Sequence, residues 1–318
     1  MSRLLIIVFA VISTFTATAQ YNWEYGIMIG GANYLGDIGG QELTRRDFVW
    51  DMHLNKTNVA LGGYGRYKFS KRLAVLANLT YLQIGTADWV STNPARVARN
   101  LNFRNRMLEL GARAELTLFY DNDVSGRGYY NPDFRFYVFG GLSVFRHNPE
   151  GRVLDASSDM FSPIWHNLRP LRTEGQAEEY GVFGMAIPAG MGLFFTFDKK
   201  WRVGWELSWR TTFTDYLDDI SGTYGNPADL PSNLAREIAS QTNPGIIARI
   251  NDPNSGTVFD HQYVEGFSTK RGDPSNNDSF LTTQFTVGRT IKGRSNFYKR
   301  KYSWLRSRAG ARKSRAKF

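Results

Sequence analysis

Cysteine is missing from all 318 residues. The fold must therefore be held without disulfides. Histidine is scarce: His53, His147, His166 and His261 are the full complement, and no two stand at metal-ligand spacing. After Ile12 no apolar run approaches the about 20 residues that a membrane-crossing helix needs. Any insertion into a bilayer must then be by strands that close on themselves. A mildly polar mean hydropathy of −0.38 excludes a helical membrane protein. It does not exclude a barrel, in which half of each strand is polar.

What is present starts with the ends. Arg3, the apolar Leu4 to Ile12 and Ala17-Thr18-Ala19 before Gln20 predict an export signal over 1–19. No cysteine follows the expected cleavage point, so no lipid anchor is expected there. At the other end, 12 of the 39 basic residues and none of the 29 acidic ones lie between Arg289 and Phe318. A near-neutral body, 20–291, thus carries a basic tail, 292–318.

The body alternates. In Trp201–Thr214, Trp201, Val203, Trp205, Leu207, Trp209 and Phe213 share one face, while Arg202, Glu206 and Arg210 share the other. A period of two is a strand. Segments of about ten alternating residues between turns mark a transmembrane β-barrel. Eight such strands are predicted: 21–35, 57–69, 73–84, 106–119, about 134–146, 180–197, 201–214 and 280–291. Strand five has aromatics on both faces, so its register stays open. Pro188 in strand six predicts a bulge or a local break in pairing.

The links alternate too. Those at 70–72, 120–133 and 198–200 are short or medium; those at 36–56, 85–105, 147–179 and 215–279 are long. Outer-membrane barrels have short periplasmic turns and long outer loops, so the tail is expected in the periplasm. An eight-stranded lumen is normally filled by side chains. Glu109, Arg113, Glu115, Arg202, Glu206 and Arg210 are expected to face inward and neutralise one another. A lipocalin-like barrel or a sandwich needs the opposite faces. The unbroken apolar rows of strands four, six and seven argue for the membrane barrel.

Chemistry-bearing clusters are few. No motif sets a Ser nucleophile beside His147 or His166, and no catalytic residue, metal or cofactor is expected. Asp215, Asp218 and Asp219, and Asp273, Asn276, Asn277 and Asp278, lack the spacing of a calcium loop and read as solvated turn formers. The tail's Lys299, Arg300, Lys301, Arg306, Arg308, Arg312, Lys313 and Arg315, interleaved with Trp304, suit an acidic protein surface or anionic headgroups. Export makes nucleic acid an unsuitable target. Docking and plain solvation remain open as roles for this tail.

Four segments carry a family resemblance: Gly30–Asp37, Pro170–Gln176, Thr212–Ile220 and Lys270–Ser279. Together they resemble the PorG-type outer-membrane barrels of the type IX secretion system of Bacteroidota, and they run from the first strand almost to the last. The resemblance implies a non-enzymatic component of the secretion and gliding machinery, seated in the outer membrane. It also implies contact with the periplasmic ring of the PorK lipoprotein and PorN. Arg172 stands where that family's pattern has Gly. Three of the four segments fall in or beside predicted outer loops, where folding over the barrel mouth is one expectation. The other functional readings are a passive small-solute channel and a hydrolase at the outer rim.

Overall fold

Alternating side chains make eight long strands in the computed structural model, which describes residues 23–39, 54–121, 133–155, 160–198, 200–242 and 269–291. They are β1 (Trp23–Leu35), β2 (Asn58–Lys68), β3 (Leu73–Ala87), β4 (Asn102–Asp121), β5 (Asp133–Arg146), β6 (Phe183–Phe197), β7 (Trp201–Thr212) and β8 (Ser279–Ile291). Each is antiparallel to its sequence neighbour. β8 returns to pair with β1, from Trp23 opposite Ile291 to Leu35 opposite Ser279. Closure leaves no open sheet edge, the condition for placing strands in a solvent that offers no hydrogen bonds.

The faces are inverted relative to a water-soluble barrel. Trp23, Tyr25, Ile27 and Ile29 of β1, Leu108 and Leu110 of β4, and Phe183 and Met185 of β6 point outward and are exposed. Glu24, Arg66, Glu109, Arg113, Glu115, Arg202, Glu206 and Arg210 point inward and are buried. This is a transmembrane antiparallel β-barrel. The outward row of β4 fixes the scale. Leu108 to Leu118 is ten residue steps, roughly 34 Å along a strand and, at a tilt of about 40°, about 26 Å along the membrane normal. That matches the ~25 Å apolar band of such barrels. At the short-link end, aromatic rings ring the wall in contact pairs: Trp23 with Tyr67, Tyr67 with Phe69, Phe119 with Phe134 and Phe134 with Phe195.

Two local features bend the ideal. The β4–β5 register shifts between Thr117 and Phe119, so Leu118, Phe119 and Tyr120 are all exposed in succession. At Pro188 the β5–β6 pairing stops after Ala186–Ser143 and resumes at Ala189–Gly140 in the same register. Pro188 thus makes a local break rather than a bulge, because the missing N–H costs a ladder bond without adding a residue.

Strand five settles its register by size. Tyr137, Phe139 and Phe145 face the lumen, against the small inner row of β6. A Cβ at Gly192 would stand 2.6 Å from the Tyr137 ring, and one at Gly190 2.7 Å from Phe139. Glycine at these two positions lets rings fill a narrow lumen.

Beyond the strands' far end the links fold over the mouth. The short strands Pro149–Gly151 and His166–Asn167 extend the sheet past β4. Two short helices, α1 (Pro94–Arg99) and α2 (Asn233–Ala239), lie in this cap. The link expected over 85–105 is shorter than that, because β3 runs on to Ala87 and β4 starts at Asn102.

Candidate functional site

The lumen holds two sets of paired charge, a six-residue cluster around Arg66 and, nearer the cap, the pair Arg210–Glu109. All six residues expected to face it are buried inside it: Glu109, Arg113, Glu115, Arg202, Glu206 and Arg210. Two more belong to it that the sequence reading did not name, Glu24 and Arg66, although their inner-face positions on β1 and β2 follow from the alternation. Four Arg thus meet four Glu on the barrel strands.

Arg66 is the hub. Its Nη1 donates to Glu24 Oε1 at 2.9 Å, its Nε lies 2.7 Å from Glu115 Oε2, and its Nη2 lies 3.5 Å from Glu206 Oε1. Arg113 Nη2 donates to Glu206 Oε1 at 2.6 Å and to Glu115 Oε1 at 3.2 Å. Arg202 pairs with Glu24, and the Tyr137 hydroxyl donates to Glu206. Nearer the cap, Arg210 Nε reaches both oxygens of Glu109 at 2.8 and 2.9 Å, and its Nη1 donates to Thr282. Rings complete the shell: Arg113 lies 3.9 Å from the Phe139 centroid and Arg202 4.8 Å from that of Phe194. Such a network is held by pairing, because an unpaired buried charge is far more costly than the pair itself.

Above it lies an apolar layer that includes Leu82, Ile84, Phe103, Met107, Phe145 and Phe280, and above that the cap. Here the four family-resembling segments come together. The Tyr34 hydroxyl lies 2.7 Å from Asp218 Oδ2 and 2.5 Å from Asp278 Oδ1. Asp278 Oδ2 accepts from the Leu217 amide, and Asp37 Oδ2 from the Asp273 amide. Thr173 and Tyr180 both donate to Asp219. Arg271 donates to Glu174 Oε1 at 3.1 Å, and Glu174 in turn accepts from the Ser221 and Gly222 amides. Arg99, on α1, ties these links to the 85–105 region. It holds both oxygens of Asp88 and donates to the Arg271 and Asp37 carbonyls.

The expectation of solvated turn formers holds for Asp273, which accepts from Ser275 and Asn276, and for the exposed Asn277, and is corrected for the other aspartates. Asp215, Asp218, Asp219 and Asp278 are buried. Asp218 keeps a turn bond from the Ile220 amide, but Asp218, Asp219 and Asp278 also take partners far along the chain, in Tyr34, Thr173, Tyr180 and Leu217, of which turn propensity carried no sign. No group of three or more acids or histidines among the described residues is placed to hold a metal. His147 is buried beside Phe145 and Tyr180, and burial lowers its pKa to about 4. His166 pairs with Gly151 in the short outer ladder. The tail residues Lys299, Arg300, Lys301, Trp304, Arg306, Arg308, Arg312, Lys313 and Arg315 lie outside the described residues, as do 1–19, His53 and His261.

Burial gives the cap a pH dependence. Desolvation raises Asp215 to about 7 and Asp219 to about 6, above the usual carboxylate range. A carboxyl raised on folding contributes stability that is lost as pH climbs through its folded value. Between pH 8 and pH 6.5 the cap should therefore tighten, before charging of His147 in the unfolded state opposes the trend below about 6.5. Amide exchange at Leu217 and Ile220, corrected for its intrinsic rate, should slow over that interval. Burial also holds Asp218 and Asp278 well above the usual carboxylate range, so Asp215→Asn should reduce the response without abolishing it; an unchanged slope in that variant would discard Asp215's share.

Arg172 explains its own departure from the resembling pattern. Its φ is +46°, the left-handed region where a Cβ costs roughly 1–2 kcal/mol and glycine does not pay it. Its side chain recovers part of that by donating to the Ala177 carbonyl at 2.9 Å. Arg172→Gly is expected to leave stability within about 1 kcal/mol, while Arg172→Val should lose more than about 1 kcal/mol, the β-branch being least tolerated there. Urea midpoints of the two variants in detergent check the order.

Among solved structures, similar chains are Neisserial surface protein A, the N-terminal β-barrel domain of OprF from Pseudomonas aeruginosa, and Ail, the attachment invasion locus protein of Yersinia pestis. The first shows 7% identity, coverage of 86% of this chain and 100% of that one, and a TM-score of 0.35. The second shows 11%, 86%, 100% and 0.31; the third shows 9%, 85%, 98% and 0.31. At these scores the fold rests on the strand pairing itself. No curated protein matches the sequence. Residues 2–230 match the family described as Domain of unknown function (DUF6089), and the chain belongs to that family.

Proposed function

We propose that this protein is a non-enzymatic component of the type IX secretion and gliding machinery, seated in the outer membrane and anchoring or assembling the periplasmic ring. The observation that carries this reading is the cap. The four segments that resemble PorG-type barrels are not scattered turns but the parts of one hydrogen-bonded structure. Tyr34, Glu174, Asp218, Asp219, Arg271 and Asp278 are its joints. A pattern spread over four distant segments and used to build one structure is what a shared fold-specific role leaves in a sequence.

The channel reading is disfavoured by the lumen. Four Arg–Glu sets, the rings of Tyr137, Phe139 and Phe194, and the apolar layer fill it. Planar bilayers carrying the protein should show no stepwise conductance. For the hydrolase reading, His147 is held neutral and buried rather than presented at a rim.

With the short links facing the periplasm, ring contact falls to those turns and to the basic tail after Ile291. Tagged full-length protein, pulled down from gently solubilised outer membranes, should bring the PorK- and PorN-like ring proteins with it. Truncation after Ile291 should weaken that recovery while the barrel still inserts. A barrel recovered alone would overturn the secretion role, and full recovery by the truncated chain would overturn docking through the tail.

A further inference from the structure

Charge on the outer wall of the barrel is sparse and placed. Arg289 on β8 faces outward at the short-link end, where it stacks over Trp201. Asp121 of β4, opposite Phe134, lies at that same end; the other outward charges of the barrel strands gather at the opposite end on two adjacent strands, Arg104 and Arg106 of β4 and Arg146 of β5. Arg104 is spoken for, with Glu150 at 2.5 Å and the Trp165 ring 4.2 Å away. Arg106 and Arg146 are exposed and have neither a carboxylate nor a carbonyl partner among the described residues.

Their height is fixed by the register. Arg146 stands opposite Leu108, the last apolar residue of the β4 outer row, and opposite Phe183 of β6, which is 69% exposed. Arg106 is one outward position beyond Leu108 and pairs with Gln83 of β3. The row from Leu118 to Leu108 already accounts for the thickness of the apolar band. Arg146 therefore lies at its edge and Arg106 just past it. Diagonal cross-strand neighbours are about 7–8 Å apart at their Cα atoms, close enough for two guanidinium groups to share one anion.

We infer that Arg106 and Arg146 form a binding site on the barrel wall for the phosphate of an anionic lipid headgroup in the outer leaflet. The inference rests on the outer-membrane reading. Phe183 and Tyr81 flank the pair at the interface level, and Leu110 and Val144 lie one outward step below it to receive the acyl chains. Two arginines desolvated by lipid have no partner among the described residues, and a lipid phosphate is the anion the membrane itself supplies at that depth. Guanidinium suits the task because its planar fork reaches phosphate oxygens in pairs.

The test uses the full chain folded in a non-ionic detergent. Dioctanoyl phosphatidic acid, a lipid phosphomonoester, should bind on the order of tenfold more tightly than dioctanoyl phosphatidylcholine, and added salt should erode the difference. In Arg106→Gln/Arg146→Gln the gap should close to within about twofold, whereas Arg106→Lys/Arg146→Lys, which keeps the charge and loses the fork, should fall between the two. Retention of the full preference by the Gln pair overturns the site. Competition by inorganic phosphate at similar concentration overturns the lipid as its source. Should the Gln pair not fold, a preference in the unaltered protein that ignores salt overturns the proposal by itself. Altered gel mobility on heating shows separately whether the barrel has formed, so failure of the outer-membrane reading is told apart from failure of this site.

Discussion

Replacing Arg66 with Met should destabilise the barrel by about 3–5 kcal/mol, the cost of removing one partner from a buried ionic network. The position is not interchangeable with the other lumen arginines. Arg66 touches Glu24, Glu115 and Glu206 at once, donates to the Tyr137 hydroxyl at 3.3 Å, and lies over the Tyr64, Tyr137 and Phe194 rings. Without it, three guanidinium groups face four carboxylates inside a space walled from water. Methionine matches much of the stem's volume, so the loss is of charge pairing more than of packing. Urea unfolding of the detergent-folded protein, read by the heat-dependent change in gel mobility, measures it. The double variant Arg66→Met/Glu115→Gln restores charge balance and should recover a substantial part of the loss, because residues in one network do not add independently. Equal midpoints for Arg66→Met and the unaltered chain would show that the network carries no stability.

The barrel was legible in the sequence because its signal is local. A period of two over ten or more residues needs no knowledge of what lies opposite, and the expected strands match the observed ones to within a few residues at each end. Strand five resisted for the same reason. Its aromatics occur at odd and even positions alike, and what selects the lumen for Tyr137, Phe139 and Phe145 is the run of small residues on β6. Gly190 and Gly192 are more than fifty residues away from the rings they admit. Arg66 and Glu24 sat on faces that the alternation had already marked as inner. What could not be read was that these two, with Glu206, would meet across the full width of the lumen.

The cap was hidden more deeply. Asp218 and Asp278 look like turn formers, since aspartate is a turn residue and both stand among Gly, Ser, Thr and Asn. Their actual role is to share the hydroxyl of Tyr34, which lies 184 and 244 residues distant in the chain. Nothing within a window of ten residues distinguishes a solvated aspartate from one whose partner arrives from another strand. Only the family resemblance pointed to these segments as a set, and it did so without saying that they touch.

Arg99 tests whether the cap is a structure in its own right. Arg99→Leu should raise amide exchange at Gly39, Leu101 and Gly272 on the order of a hundredfold, the equivalent of about 3 kcal/mol lost from a buried pair. The reason lies in what the guanidinium spans. It grips both oxygens of Asp88, whose own oxygens accept from the Gly39 and Leu101 amides, and it donates to the carbonyls of Asp37 and Arg271. Removing it leaves the Asp88 carboxylate, fully buried, without its cation, and frees two carbonyls at the joint of three links. The barrel should be far less affected, because the lumen network and the strand ladders lie below the apolar layer and do not include Arg99. A local loss of exchange protection with an unchanged urea midpoint is therefore expected. Equal loss in the strands would mean that cap and barrel unfold as one unit, and the cap would then be part of what holds the barrel closed rather than a separate cover on it.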